Sequence, residues 1–215
     1  MKDLLNPEGV FFQFLSRVGD LIILNFLFIV CCVPVVTAGA AYAALCKVCM
    51  DMIYEQEGGI FKGFFQAFRE NFKQATGVWI AELIVIVSLV CDGLLIMSFF
   101  PGGKAMYILL GILAFLVLCV CTHMIPLLIR YRNTLRQHLG NAMVLTVIRL
   151  PRTVLMILIS ALPLIVFLLS ATVFFDTLVF WLAIGLAVTA YLNMNLYKAV
   201  YTKLEETKNK ITFGV

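Results

Sequence analysis

One stretch constrains the fold more than any other. From Arg17 to Cys49 the chain is a long apolar run broken once, by Pro34. Pro34 has no backbone N–H and clashes with the preceding turn, so a helix entering this stretch must kink or stop there. Thr37 follows and offers a hydroxyl to cap a new helix. Gly39, with Ala38, Ala40, Ala41, Ala43 and Ala44, gives that helix a face of small side chains, against which a neighbouring helix can lie close.

The remaining apolar runs extend the theme. Segments 78–99, 106–126, 154–173 and 178–197 each have about the 20 residues that a bilayer crossing needs. The chain is 63% apolar and 13% charged, with a mean hydropathy of +1.04. A soluble domain carries roughly 25% charged residues. The fold class is an all-α polytopic membrane protein, a bundle of six, alternatively five, transmembrane helices with an added amphipathic interfacial helix. A β-barrel is excluded because the apolar runs are continuous, not alternating. At 24.1 kDa the chain has no room for a separate soluble catalytic domain, and a net charge of +4 suits anionic lipid, not nucleic acid.

Residues 1–17 read as an interfacial helix, with Val10, Phe11, Phe14, Leu15 and Val18 on one face. Asp3, Glu8 and Asp20 outnumber Lys2 and Arg17 here, whereas a cleaved secretory leader starts basic. Residues 18–200 form one transmembrane domain, and 201–215 a charged cytoplasmic tail. The first crossing is 18–36. The second candidate, 38–53, is short and interrupted by Lys47. With six crossings both termini are cytoplasmic, and all of the 16 Lys and Arg except Lys104 lie inside. With five, Lys2, Arg17 and Lys104 lie outside, so the positive-inside rule favours six. Over 60–76 an apolar stripe of Ile60, Phe61, Phe64, Phe65, Phe68 and Phe72 opposes Lys62, Arg69 and Lys73, the pattern of an in-plane cytoplasmic helix. A basic loop, 127–152, carries Arg130, Arg132, Arg136, Arg149 and Arg152.

Polar groups in the hydrocarbon region are functional candidates by default. Asn25, Glu82, Asp92 and His123 are those candidates. The basic residues Lys62, Arg69, Lys73, Arg130, Arg132, Arg136 and Arg149 are candidates for docking a partner or lipid headgroups. The seven cysteines fall within apolar segments and read as buried thiols. Cys46-Lys-Val-Cys49 has metal-type spacing but no second pair. There is no phosphate-binding loop, no HExxH and no GxSxG, so no catalytic, metal or cofactor site is expected.

Asn25, the string Pro34-Val-Val-Thr-Ala-Gly-Ala-Ala41 with Ala44-Leu45, and the string Phe64-Phe-Gln-Ala-Phe-Arg-Glu-Asn-Phe-Lys-Gln-Ala-Thr76 resemble the YesL-like family of bacterial integral membrane proteins. The resemblance runs to about residue 80. It implies a small multi-helix protein of a Gram-positive plasma membrane, encoded beside carbohydrate-uptake systems, with no assigned catalytic residues. The end of the basic loop, Ile148-Arg-Leu-Pro151 with Gly140 upstream, is similar to the ATPase-docking loop of ABC importer permeases. It lacks that motif's glutamate and alanines, and its Gly lies two residues closer. The expected function is a non-catalytic accessory of carbohydrate uptake that binds ABC-importer permease or ATPase subunits. The alternatives are a stand-alone transporter using membrane carboxylates, and a membrane sensor or scaffold.

Overall fold

The computed structural model describes residues 10–56, 58–99 and 102–212, with side chains from 11 to 199. The fold is all-helical, and no strand occurs among the described residues. In order, α1 is Val10–Cys32, α2 Ala38–Ile53, α3 Ile60–Phe99, α4 Lys104–Arg130, α5 Leu135–Ile148, α6 Leu150–Leu169, α7 Ala171–Asp176, α8 Leu178–Phe180 and α9 Leu186–Thr212. A 3-10 turn, Val35–Thr37, joins α1 to α2, and a π-helical turn, Trp181–Gly185, leads into α9. Six stretches are long and apolar enough to cross a membrane: Phe11–Cys32, Val35–Ile53, Ile60–Phe99, Lys104–Arg130, Leu150–Leu169 and Leu178–Ala199. The protein is a multi-pass membrane protein of the helical-bundle class.

The expected interfacial helix at 1–17 is in part outside the described residues, which begin at 10. From Val10 the chain is already α1, continuous to Cys32. Pro34 ends α1 as expected. Thr37, however, does not cap α2. Its hydroxyl turns back to the Cys31 carbonyl at 2.6 Å and the Pro34 carbonyl at 2.8 Å. The Cys31 carbonyl belongs to the last turn of α1, and the Pro34 carbonyl also accepts the Thr37 N–H at 2.9 Å, so the hydroxyl ties back to the old helix and its turn and does not start the new one.

α2 is the central helix. Gly39, Ala40, Ala41, Ala43, Ala44, Leu45, Cys46 and Cys49 are all buried. It runs antiparallel to the first half of α3: Gly39 lies against Ala75 and Trp79, and Val48 against Gly63. A Cβ added to Gly39 would stand 2.7 Å from the Ala75 carbonyl oxygen and closer still to the Trp79 Cβ. The small-residue patch therefore has the close helix neighbour that it is suited to. The Trp79 indole N–H donates to the Val35 carbonyl at 2.9 Å and closes the turn onto α3.

The expected in-plane helix over 60–76 is not a separate element. It continues unbroken into the 78–99 span as α3, a rod of 40 residues and about 60 Å, twice the hydrocarbon thickness. The apolar stripe also divides. Phe64, Ala67, Ala75 and Val78 are buried, whereas Phe61, Phe65 and Phe72 are exposed. Close approach to α2 at Gly39 falls where α3 carries Ala75, and of the stripe Phe61, Phe65 and Phe72 stay outside. No residue of α3's most apolar stretch is buried within the bundle, so that stretch faces lipid or a partner.

Candidate functional site

The helix ends converge at one polar end. Arg17, near the start of α1, donates to the Met52 carbonyl at 3.2 Å and the Tyr191 hydroxyl at 3.3 Å, and pairs with Glu55 at 3.7 Å. Arg130 ends α4, donates to the Tyr54 hydroxyl at 2.9 Å and lies over that ring. Lys198 of α9 donates to the Ile53 carbonyl at 3.1 Å and also stacks on Tyr54. The first half of α1, the ends of α2 and α4 and the middle of α9 thus share this end. An even number of passes separates Arg17 from Lys198. Lys47, which seemed to interrupt α2, pairs with Asp51 one turn on.

The four polar candidates of the apolar segments do not form one site. Asn25 is fully buried and serves α9. Its amide N–H₂ donates to the carbonyls of Trp181 at 3.3 Å and Leu182 at 2.7 Å, and its Oδ1 accepts from the Ala187 N–H at 2.8 Å. The π-helical turn offsets the regular hydrogen-bond ladder, and one side-chain amide satisfies the backbone groups it frees. Gly185 permits this turn, because a Cβ there would lie 2.5 Å from the Trp181 ring.

His123 is buried among three helices. Its Nδ1 bonds the Tyr197 hydroxyl of α9, and its Nε2 bonds the Thr153 hydroxyl of α6 at 2.8 Å. Asn193 of α9 donates to the Ser160 hydroxyl of α6 at 2.7 Å. These bonds cross-link α4, α6 and α9. Tyr197, Thr153 and Ser160 were missed in the sequence because hydroxyl residues are common in membrane helices and nothing local marks these. The His123 spacing to a partner appears only after three helices assemble.

Glu82 and Asp92 lie apart. Asp92 is exposed on α3, beside a shallow groove with Leu110 and Leu113 of α4. Glu82 lines a cavity of about 720 Å³ between α3, α4 and α5, which also includes Gly77, Cys121, Arg136, Met143 and Thr146. Cys121 lines the same cavity, and the Glu82 Oε1 is buried without a partner.

Lys62, Arg69 and Lys73 are exposed on the first half of α3, and Lys62 and Arg69 flank Phe61 and Phe65 there. The expected loop 127–152 is mostly helix. A reciprocal capping box of Thr134 and Gln137 starts α5. Arg132 is exposed before α5, and Arg136 is exposed in its first turn. Arg149 sits at the junction of α5 and α6 with its Nε buried and unpartnered, as is one terminal nitrogen of Arg152. His138 of α5 is fully buried, and neither ring nitrogen has a partner in hydrogen-bond geometry. Burial lowers its pKa from the usual 6.5, opposed by the Asn133 backbone. All seven cysteines are free thiols, and no group of three or more His, Cys, Asp and Glu is placed to hold a metal among the described residues.

These contacts define the class: a multi-pass helical membrane protein cross-linked by buried side-chain hydrogen bonds, with a basic polar end. Residues 21–93 match the model of a family described as a protein of unknown function, DUF624. That stretch includes Asn25, Pro34, Thr37, Gly39, the α2–α3 contact, Glu82 and Asp92. No curated protein matches the chain, and no solved structure does.

Proposed function

We propose that this protein is a non-catalytic component of carbohydrate uptake in a bacterial plasma membrane, and that it acts by binding the permease and ATPase subunits of an ABC-type importer. The observation that supports this best is the use of its polar groups. Asn25, His123, Thr153 and Tyr197 are engaged in bonds between helices, which stiffen a bundle but offer no relay for a solute. Lys62, Arg69, Lys73, Arg132 and Arg136 are instead exposed. A rigid bundle with a basic end suits docking better than conduction. The positive-inside rule puts that end, and both termini, in the cytoplasm, where an importer's ATPase works. The resemblance to the YesL-like family supplies the carbohydrate context, and Ile148-Arg-Leu-Pro151, at the α5–α6 junction, supplies a docking segment.

Purification in mild detergent from the native host tests this. The permease and ATPase subunits of one carbohydrate importer are expected in stoichiometric amounts, and to be reduced by the combined Lys62→Gln, Arg69→Gln and Lys73→Gln variant. Recovery of the protein free of any importer subunit would sink the proposal. A second reading, transport through the chain itself, has Glu82 in its cavity as support. Solute uptake by proteoliposomes containing this protein alone would favour it.

A further inference from the structure

We propose that the cavity between α3, α4 and α5 holds a single phospholipid of phosphatidylglycerol type, with its phosphodiester on Arg136, a headgroup hydroxyl on Glu82 and an acyl chain along the apolar wall. This site does not depend on the importer reading.

Three properties of the wall select that ligand. The first is its apolar character. Val78, Val85, Leu116, Val120, Leu139 and Val147 make up much of the surface, and a space of about 720 Å³ lies within the range of built ligand sites. A soluble polar metabolite would lose its hydration against such a wall with little in return. A hydrocarbon chain loses nothing.

The second property is charge. The wall holds one cation, Arg136, which is exposed and so stands at the mouth. The placement of α5 sets the direction of the site. α5 starts just past Arg130, at the end of α4. Thr153, a few residues beyond α5, bonds back to His123 of the same helix. α5 packs against α4, and its Leu135, Arg136, Leu139, Met143 and Thr146 form one side of the cavity. The cavity begins beneath α5 and reaches Val85 and Leu116 in the apolar spans. Headgroup at the mouth and chain inward is the orientation of a bilayer lipid, and a guanidinium at the mouth suits a phosphodiester.

The third property is an open acceptor. Glu82 Oε1 is buried and has no donor, and it faces the cavity that the carboxyl lines. The hydroxyl of Thr146, the other polar group of the wall, already donates to the Ala142 carbonyl at 2.9 Å. A buried acceptor without a donor is costly, so the occupant must bring one. A hydroxyl does this without carrying an ion out of water. An ammonium headgroup would have to be desolvated beside the carboxylate, and that penalty offsets much of the attraction.

Native mass spectrometry of the full-length protein, delipidated in detergent and then titrated with phosphatidylglycerol, phosphatidylethanolamine or phosphatidylcholine of identical acyl chains, tests the site. One phosphatidylglycerol is expected to bind, with a preference of about tenfold over phosphatidylcholine, which has no headgroup donor. Glu82→Leu should abolish that preference, and Arg136→Gln should weaken binding by about tenfold. Gly77→Leu is the folding-safe control. A Cβ at Gly77 meets nothing within 4 Å, so a side chain there starts in the cavity wall without its first atom striking a neighbouring helix. It should melt like wild type and, by narrowing the space, weaken lipid binding by about tenfold. Equal binding of the three lipids, a preference for phosphatidylethanolamine, or a Gly77→Leu variant that binds the lipid as wild type does would each overturn the proposal.

Discussion

Gly39→Ala is the smallest change that probes the packing on which the fold rests. One methyl is added at the place where α2 and α3 lie closest. Its carbon would stand 2.7 Å from the Ala75 carbonyl oxygen and in harder overlap with the Trp79 Cβ. Neither is the loose end of a flexible side chain. Both belong to the α3 backbone or its first side-chain atom, so relief requires the helices to separate. Overpacking of this kind costs about 1–3 kcal/mol. Separation also stretches the 2.9 Å bond from Trp79 to the Val35 carbonyl, worth about 0.5–1.5 kcal/mol. A loss of about 2–4 kcal/mol follows, which for a chain of this length is a fall of roughly 5–15 °C in melting temperature. Thermal denaturation in one detergent, followed by thiol accessibility of buried Cys46 and Cys49, reads it directly. Gly140→Ala is the control, because a Cβ there meets nothing within 4 Å, and it should be neutral or slightly stabilising. If Gly39→Ala melts within about a degree of wild type, the close α2–α3 approach is not the structural centre described here.

Other outcomes follow from the same contacts. Asn25→Leu strands two carbonyls and one N–H of the π-helical turn, and should cost about 2–4 kcal/mol and speed amide exchange over 181–187 first. In a double-mutant cycle, His123→Phe and Tyr197→Phe should show a coupling of about 1 kcal/mol in thermal melts, and strictly additive effects would remove the interhelical bond from the account. Burial holds the His138 pKa below 6.5, so the folded state takes up this proton at lower pH than the unfolded chain. Stability from this group is complete above that value and falls as pH drops below it. The melting temperature should therefore decline from pH 7.5 to pH 5, and His138→Gln should flatten part of the decline.

Much of this fold was legible in the sequence because a bilayer leaves few alternatives. Apolar runs of spanning length can only be helices, and Pro34 can only end or bend one. Gly39 within a patch of alanines announced a close neighbour before that neighbour was known. The misreadings have a common physical origin. Thr37 was expected to cap forward and instead bonds backward, because α1 ends two residues before Pro34 and brings the Cys31 carbonyl of its last turn within reach of the hydroxyl. The stripe of six large residues over 60–72 looked like one buried face. Yet only part of it packs inward: Phe64 is buried beside Ala67 and Ala75, while Phe61, Phe65 and Phe72 stay outside. Intrahelical periodicity carries no information about the small residues of the partner. The polar candidates show the same limit. Asn25, Glu82, Asp92 and His123 stood out as costly in hydrocarbon, but the partners of Asn25 and His123 lie far along the chain, at Trp181 and Tyr197, and only assembly reveals them.

Carbohydrate uptake in the native host tests the functional reading most directly. Initial uptake of a labelled importer substrate is compared in wild-type cells, in a strain lacking this protein, and in that strain complemented with wild type or with the Lys62, Arg69 and Lys73 to Gln variant. Loss of uptake in the deletion, restoration by wild type, and failure of the triple variant at equal membrane abundance are the expected results. Undiminished uptake of every importer substrate in the deletion strain would contradict the account.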